Sequence, residues 1–488
     1  MNYGFIKACA VSPALRVADC PYNAQKTIEA MQQAAEDGCQ LTVFPELGLT
    51  GYTCGDLFLQ QPLLDAAEAA LREILKASEA LQLVALVGLP VTVDAKLYNC
   101  AAVICQGALL GLVPKSHIPN YGEFYEKRHY CAAPAGVKEI SFAGQKTLFG
   151  TKLLFRCETM QAFTLAVEIC EDLWAPLPPS TAHALSGATV IANLSASDET
   201  VGKAEYRRAL VSQQSARLLC AYLYADAGHG ESTTDMVFSG HNLIAENGVL
   251  LAESRPFSQA LACTELDLGR LLAERRRNTS FEPVTDGYET VSFHLPLREI
   301  PLTRYISPTP FVPADGGARA ERCELILQMQ ADGLAKRIEH AHAKTAVIAF
   351  DSDNAGQKAT NKAISYLRTL GVSVRVLQMQ GAKDPDEYIK TYGRERFSML
   401  ISRSKTPTEY QLDKLKETHD LTDIAQKTEY SDKGSDVIAR LPSKIEREIY
   451  AGILAKELNI SVETVMADIE RRRRNFEKAE QRRTVSDE

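Results

Sequence analysis

Over the first 290 residues, short apolar runs alternate with stretches in which apolar positions recur every three or four residues. The runs "GFIKACAV", "LTVFPEL", "QLVALVGLPV", "NCAAVICQGALLGLVP", "FTLAVEIC", "ATVIANLS", "LLCAYLYADA" and "VFSGHNLIAENGVLLAES" are flanked by turn residues and read as strands. "NAQKTIEAMQQAAEDG", with a C-capping Gly38, and "PLLDAAEAALREILKASEAL" have helical spacing. Strand–helix alternation with hairpin-like pairs predicts a layered α/β sandwich. Residues 291–320, with "ISPTPFVPADGG", read as a Pro-rich linker, and 318–343 as one long amphipathic helix. A strand at 346–350, a helix at 356–370, a strand at 373–379 and further helices are expected after it. This divides the chain into 1–290, a linker and first helix at 291–345, a βαβ segment at 346–405 and a helical segment at 406–488.

Composition adds constraints. With 45% hydrophobic and 24% charged residues the chain has the profile of a soluble globular protein. Its length of 488 residues suits two or three domains. The net charge of −8 argues against a broadly basic nucleic-acid binder. Residues 346–488 are balanced, so the acidity belongs to the first part; the basic end "ERRRRNFEKAEQRRTVSDE" reads as a solvated helix. No apolar run reaches the ~18–20 residues of a membrane span, and no export signal is visible, so a cytoplasmic location is expected. All twelve cysteines lie between Cys9 and Cys323 without C-x-x-C spacing, which suits small apolar packing better than disulfides or zinc.

Three residues at or just beyond strand ends carry candidate chemistry: Glu46 in "VFPELGLTGY", Lys115 in "GLVPKSHIPNYGEFYEKR" and Cys170 in "LAVEICEDLW". A thiol, an amine and a carboxylate at one sheet rim can hydrolyse an amide. Cys170 would attack the carbonyl carbon, Glu46 would carry the proton to the leaving ammonia, and Lys115 would face the oxyanion.

"FPELGLTGYTCGDLF", "PKSHIPNYGEFYEKR", "EICEDLWAP", "NLSASDETVGKAEYRR" and "YADAGHGESTTDMVFSGHN" resemble the nitrilase-type glutaminase domain of glutamine-dependent NAD+ synthetases, over about residues 1–343. The resemblance implies an αββα sandwich with Glu46 as base, Lys115 as oxyanion stabiliser and Cys170 as nucleophile. It puts Tyr121, Ser197 and Lys203 at glutamine-binding positions, and Phe124, Glu126 and Glu171 in the pocket wall. Glu126 would keep the lysine charged and placed. The family reaction amidates deamido-NAD with ATP, Mg²⁺ and glutamine-derived ammonia, and family members are homo-oligomers. The glutaminase step needs no cofactor.

That family continues with an S-G-G-x-D-S loop for pyrophosphate. Neither this pattern nor G-x-x-x-x-G-K-[ST] occurs here. Instead "AFDSDNAGQKATNKAI", "GAKDPDEYIKTYG" and "LPSKIEREIYAGILAKELNIS" resemble the second half of the TOPRIM domain of bacterial DNA primase and the helices after it. Asp351, Asp353, Asp384 and Asp386 then correspond to an acidic set that could hold Mg²⁺. The primase set also needs a glutamate in an E-G-x-x-D segment, which is missing upstream. The chain reads as two fragments joined near Ala346, by recombination or assembly error ahead of evolved fusion. The expectation is therefore a glutaminase whose ATP site is absent. A nitrilase for another small amide and a primase-related fragment are the alternatives.

Overall fold

The computed structural model describes residues 4–486 apart from 234, 259–260, 285–286, 343–344, 350–359, 361–362, 365–372, 378, 380 and 383. The chain forms two compact units, Met1–Pro308 and Thr309–Glu488. The first runs past the boundary read at residue 290: strand Glu289–Phe293 joins one of its sheets, and Thr303 and Arg304 donate to Glu265.

In chain order the first unit begins with β1 (Phe5–Ala10), α1 (Cys20–Glu36), β2 (Leu41–Val43), α2 (Gln61–Ser78), β3 (Val84–Val93), β4 (Lys96–Cys105) and β5 (Ala108–Pro114). It continues with β6 (Lys138–Phe142), β7 (Gln145–Phe149), β8 (Leu153–Cys157), β9 (Thr164–Ile169), α3 (Glu171–Trp174) and α4 (Pro179–Leu185). Then come β10 (Val190–Ser195), α5 (Lys203–Leu218), β11 (Ala221–Asp226), β12 (Leu243–Glu246) and β13 (Val249–Glu253). β14 (Ala262–Asp267), α6 (Leu268–Arg277) and β15 (Glu289–Phe293) complete it.

One sheet has eight strands in the order β14-β1-β2-β3-β4-β5-β7-β6. The other has seven, β13-β12-β11-β10-β9-β8-β15. Strand periodicity sorts the core into layers. Val84 and Leu86 of β3 meet Leu165, Val167, Val190 and Leu223 between the sheets. Ala85, Val87 and Leu89 point the other way, onto Met31 of α1 and Leu71 and Ile74 of α2. Ala166, Ile191, Tyr222 and Tyr224 of the second sheet face Ala184 of α4 and Val211 of α5. The unit is an αββα sandwich. Central strands buried on both faces show as unbroken apolar runs in the sequence. The strands β6, β7 and β15 were not legible that way, because they are partly exposed and alternate polar with apolar residues.

In the second unit, α7 (Gly316–His340) is capped by Asp315, whose carboxylate accepts from Ala318 N–H. β16 (Thr345–Ile348) pairs parallel with β17 (Ser373–Val376), and Ile348, Ile364, Val374, Val376 and Tyr410 form a small core. The expected helix 356–370 falls mainly outside the described residues. Helices Pro407–Glu417, Ile424–Ala439, Lys444–Leu458 and Val462–Ser486 share a second core around Tyr430, Ile438, Leu454, Leu458 and Ile469. No helix among the described residues is long and apolar enough to cross a membrane.

Candidate active site

The three central candidate residues come from the chain just after three strands. Glu46 follows β2 in a tight bend, with Gly48 N–H donating to Pro45 O (3.3 Å). That bend lies flat on β3 because position 88 is glycine. A Cβ there would come within 2.3 Å of Leu47 N and 2.6 Å of Pro45 O. Lys115 is the residue after β5, and its N–H donates to Asn99 O on β4 (2.8 Å). Cys170 sits between β9 and α3 with φ +42° and ψ −99°, a backbone state that costs a non-glycine residue about 1–3 kcal/mol.

These three are buried, with Glu46 and Lys115 at 1% and 0% exposure. Lys115 Nζ donates to Glu46 Oε1 and to Glu126 Oε1, both at 2.6 Å. Glu46 Oε1 also accepts from Asn99 Nδ2 (2.6 Å) and Oε2 from Ala196 N–H (2.9 Å). Glu126 accepts from Tyr52 Oη (2.9 Å), while its other oxygen has no hydrogen-bond partner among the described residues. Burial alone would push the Lys115 ammonium down, but the carboxylates of Glu126 and Glu46 outweigh it and hold the lysine charged. Burial lifts the Glu126 carboxyl to about 7 against the pull of Lys115.

The Cys170 thiol lies within the field of the same groups. Burial pushes it well above its ordinary range; Glu46 adds to the rise, Lys115 opposes it, Glu126 adds, and the Ala196 N–H opposes. The resting sulfur is thus a thiol, and attack on a carbonyl requires a base to take its proton.

Asp172 ties the two halves of the site together. Its Oδ1 accepts from Ser116 N–H (3.1 Å) and His117 N–H (2.7 Å), just after Lys115, and its Oδ2 from Ile169 N–H (3.0 Å), just before Cys170. Burial raises its carboxyl to about 6. The rim carries the remaining candidates. Tyr121 Oη donates to the Glu171 carboxylate at 2.9 Å, and its ring meets Phe124 edge-on. Lys203 pairs with Asp198 and lies 5.7 and 5.6 Å over the rings of Phe124 and Trp174. Ser197 is buried below; its N–H donates to Asp226 Oδ1 (2.8 Å) and its Oγ accepts from Arg207 (3.4 Å). A cavity of about 250 Å³, lined in part by Tyr52, Phe58, Glu126 and Tyr130, adjoins Glu126.

Of the proposed metal residues, Asp351 and Asp353 lie outside the described residues. Asp384 caps helix Pro385–Ser402 by accepting from Glu387 N–H, and Asp386 pairs with Lys390 at 2.6 Å. Among the described residues no three His, Cys, Asp or Glu side chains converge as a metal site. The sequence reading missed Asn99, Tyr52, Asp172 and Asn193. The available signal was a polar residue inside an apolar strand, as in "LYNCAAV" and "VIANLS".

A sandwich that gathers a thiol, an ammonium and carboxylates at its strand ends defines a carbon–nitrogen hydrolase. Residues 7–276 match the carbon-nitrogen hydrolase family, and the chain belongs to it. Within that class it is similar to the glutamine-dependent NAD(+) synthetase of Mycobacterium tuberculosis, with 41% identity over 348 residues, 69% of this chain and 51% of the relative. The enzyme of the same name from Aquifex aeolicus is 29% identical over 277 residues, 57% of this chain and 45% of the relative. The crystal structure of the glutamine-dependent NAD(+) synthetase from Cytophaga hutchinsonii is 27% identical with a TM-score of 0.48, covering 54% of this chain and 42% of that one. The chain spans about half the length of the curated relatives it matches. Residues 327–389 match a Toprim-like family, and residues 408–463 the DnaB-helicase binding domain of primase.

Proposed function

We propose that this chain hydrolyses the side-chain amide of glutamine to glutamate and ammonia. The observation that carries the reading is Lys115 held between Glu46 and Glu126 beside the buried Cys170. Cys170 sulfur attacks the amide carbonyl carbon while its proton passes to Glu46. The charge on the carbonyl oxygen forms beside Lys115, whose ammonium is already desolvated and needs no reorganisation. Glu46 then protonates the nitrogen, the C–N bond breaks, and ammonia leaves a thioester. Water attacks the thioester with Glu46 again as base, releasing glutamate and restoring the thiol. Tyr121 and Phe124 supply an aromatic wall, and Glu171, Ser197 and Lys203 supply polar groups for the amino-acid end. No cofactor enters these steps.

On this reading the chain does not itself carry out the ATP-dependent amidation of deamido-NAD, because its sequence lacks the S-G-G-x-D-S loop. Purified protein is expected to release ammonia from glutamine, to lose that activity on Cys170→Ala, and to form no NAD+ from deamido-NAD, ATP, Mg²⁺ and ammonia. Faster hydrolysis of a small aliphatic amide than of glutamine overturns the substrate. Ammonia release that survives Cys170→Ala overturns the mechanism. The match at residues 408–463 favours a second, separate reading for the helical end, docking to a DnaB-type helicase. A binding measurement with that helicase decides it.

A further inference from the structure

The elbow at Cys170 is held from behind, on the face of the second sheet that points away from its partner sheet. Three neighbouring strands each place one polar side chain there. Asn193 of β10 stands opposite Glu168 of β9 in the register, and Tyr222 comes from β11. All three are buried. Asn193 Oδ1 accepts from the Cys170 N–H (2.9 Å), which also faces Leu194 O (2.9 Å), and from Ser195 Oγ (2.6 Å). Asn193 Nδ2 donates to Tyr222 Oη (3.1 Å), and Tyr222 Oη donates to Glu168 Oε1. Glu168 Oε2 accepts from Ser180 N–H (2.7 Å).

We infer that Asn193 is a positioning residue for the nucleophile, oriented through Tyr222 by the Glu168 carboxylate; this rests on the reading of Cys170 as nucleophile. Donor and acceptor capacities leave one consistent arrangement. An ionised Glu168 only accepts, so the single Tyr222 O–H must point at it. The tyrosine oxygen then has only a lone pair for Asn193 and must receive its NH₂. The amide oxygen is thereby turned to the Cys170 N–H. The reversed amide would place NH₂ against the Cys170 N–H, which would keep only Leu194 O, and would set the amide oxygen against the lone pairs of the tyrosine oxygen. The strained φ of Cys170 persists because the surroundings determine it, and this chain of bonds is one of the determinants.

The test uses the whole protein at pH 8, because burial lifts the Glu168 carboxyl to about 7. Asn193→Ala and Tyr222→Phe are compared with Gln214→Ala. Gln214 bonds Ser180 in the same buried layer but does not reach Cys170. Three quantities are read: kcat and KM for glutamine, the rate of Cys170 alkylation by iodoacetamide, and the thermal midpoint. Asn193→Ala is expected to lower kcat about 100-fold and Tyr222→Phe about tenfold, with KM within about threefold. Both slow alkylation, whereas Gln214→Ala lowers the midpoint and leaves kcat unchanged. Wild-type alkylation rates in Tyr222→Phe and in folded Asn193→Ala overturn the inference, as does a kcat loss in Gln214→Ala matching theirs. The alkylation arm needs no substrate. If wild-type protein hydrolyses no glutamine while the variants still slow alkylation, the glutaminase reading falls and the positioning role stands.

Discussion

Lys115 shows how much one buried charge can organise. Its ammonium is fully buried, and two carboxylates converge on it from separate segments of the chain. Lys115→Met removes the cation and leaves Glu46 and Glu126 facing each other in a dry site. Breaking a buried pair in this way costs about 3–5 kcal/mol, so the denaturation midpoint falls and ammonia release stops. Chemical denaturation and an ammonia assay on the variant check both. A second titrating group lies in the layer behind the sheet. Burial pulls the His183 imidazole down to about 4. Between that value and the ordinary 6.5, the unfolded chain binds a proton that the folded one refuses. The contribution of His183 is therefore complete above about 6.5 and is lost as pH falls toward 4, by about 3 kcal/mol. His183→Gln is expected to flatten that part of the stability–pH curve, measured by denaturant unfolding from pH 7 to pH 4. A variant curve parallel to wild type contradicts the assignment.

At the scale of elements, strands act as the rulers that set side-chain distances. β2 and β3 place Glu46, and they do so because Gly88 lets the Pro45–Leu47 bend lie against the β3 backbone. Gly88→Ala drives a Cβ into that bend, so either the bend or the strand must shift. The expected result is a kcat for glutamine at least about 100-fold lower, together with a lower thermal midpoint, since misplacement by about 1 Å costs this much. Steady-state kinetics alongside a melting curve test it; full activity in the alanine variant sinks the argument. The central strands were legible because burial on two faces makes them uniformly apolar. β6, β7 and β15 were not, because half-exposed strands carry no continuous apolar signal. The helix α5 escaped for a related reason: its sequence "KAEYRRALVSQQSARL" is mostly polar, and only a thin stripe including Val211 and Leu218 is buried.

For the whole molecule, the division at Pro308 has a direct consequence. The candidate site residues Glu46, Lys115 and Cys170 and the layers that hold them all lie in the first unit. A fragment of residues 1–308 is expected to unfold as one cooperative unit and to keep iodoacetamide labelling at Cys170, by calorimetry and mass spectrometry. Failure of that fragment to fold contradicts its independence. Residues alone sufficed for the α/β layering, and motif resemblance picked out Glu46, Lys115 and Cys170 as candidates, since local periodicity and short motifs are properties of contiguous chain. Apart from Glu126, which the resemblance set beside Lys115, the partners of those groups could not be read the same way. Asn99, Asp172 and Asn193 matter through what stands on the next strand or loop, and polar residues in apolar runs do not reveal their neighbours. Strand register and the packing of one sheet on another bring residues from distant segments within bonding distance, and only the folded chain contains that information.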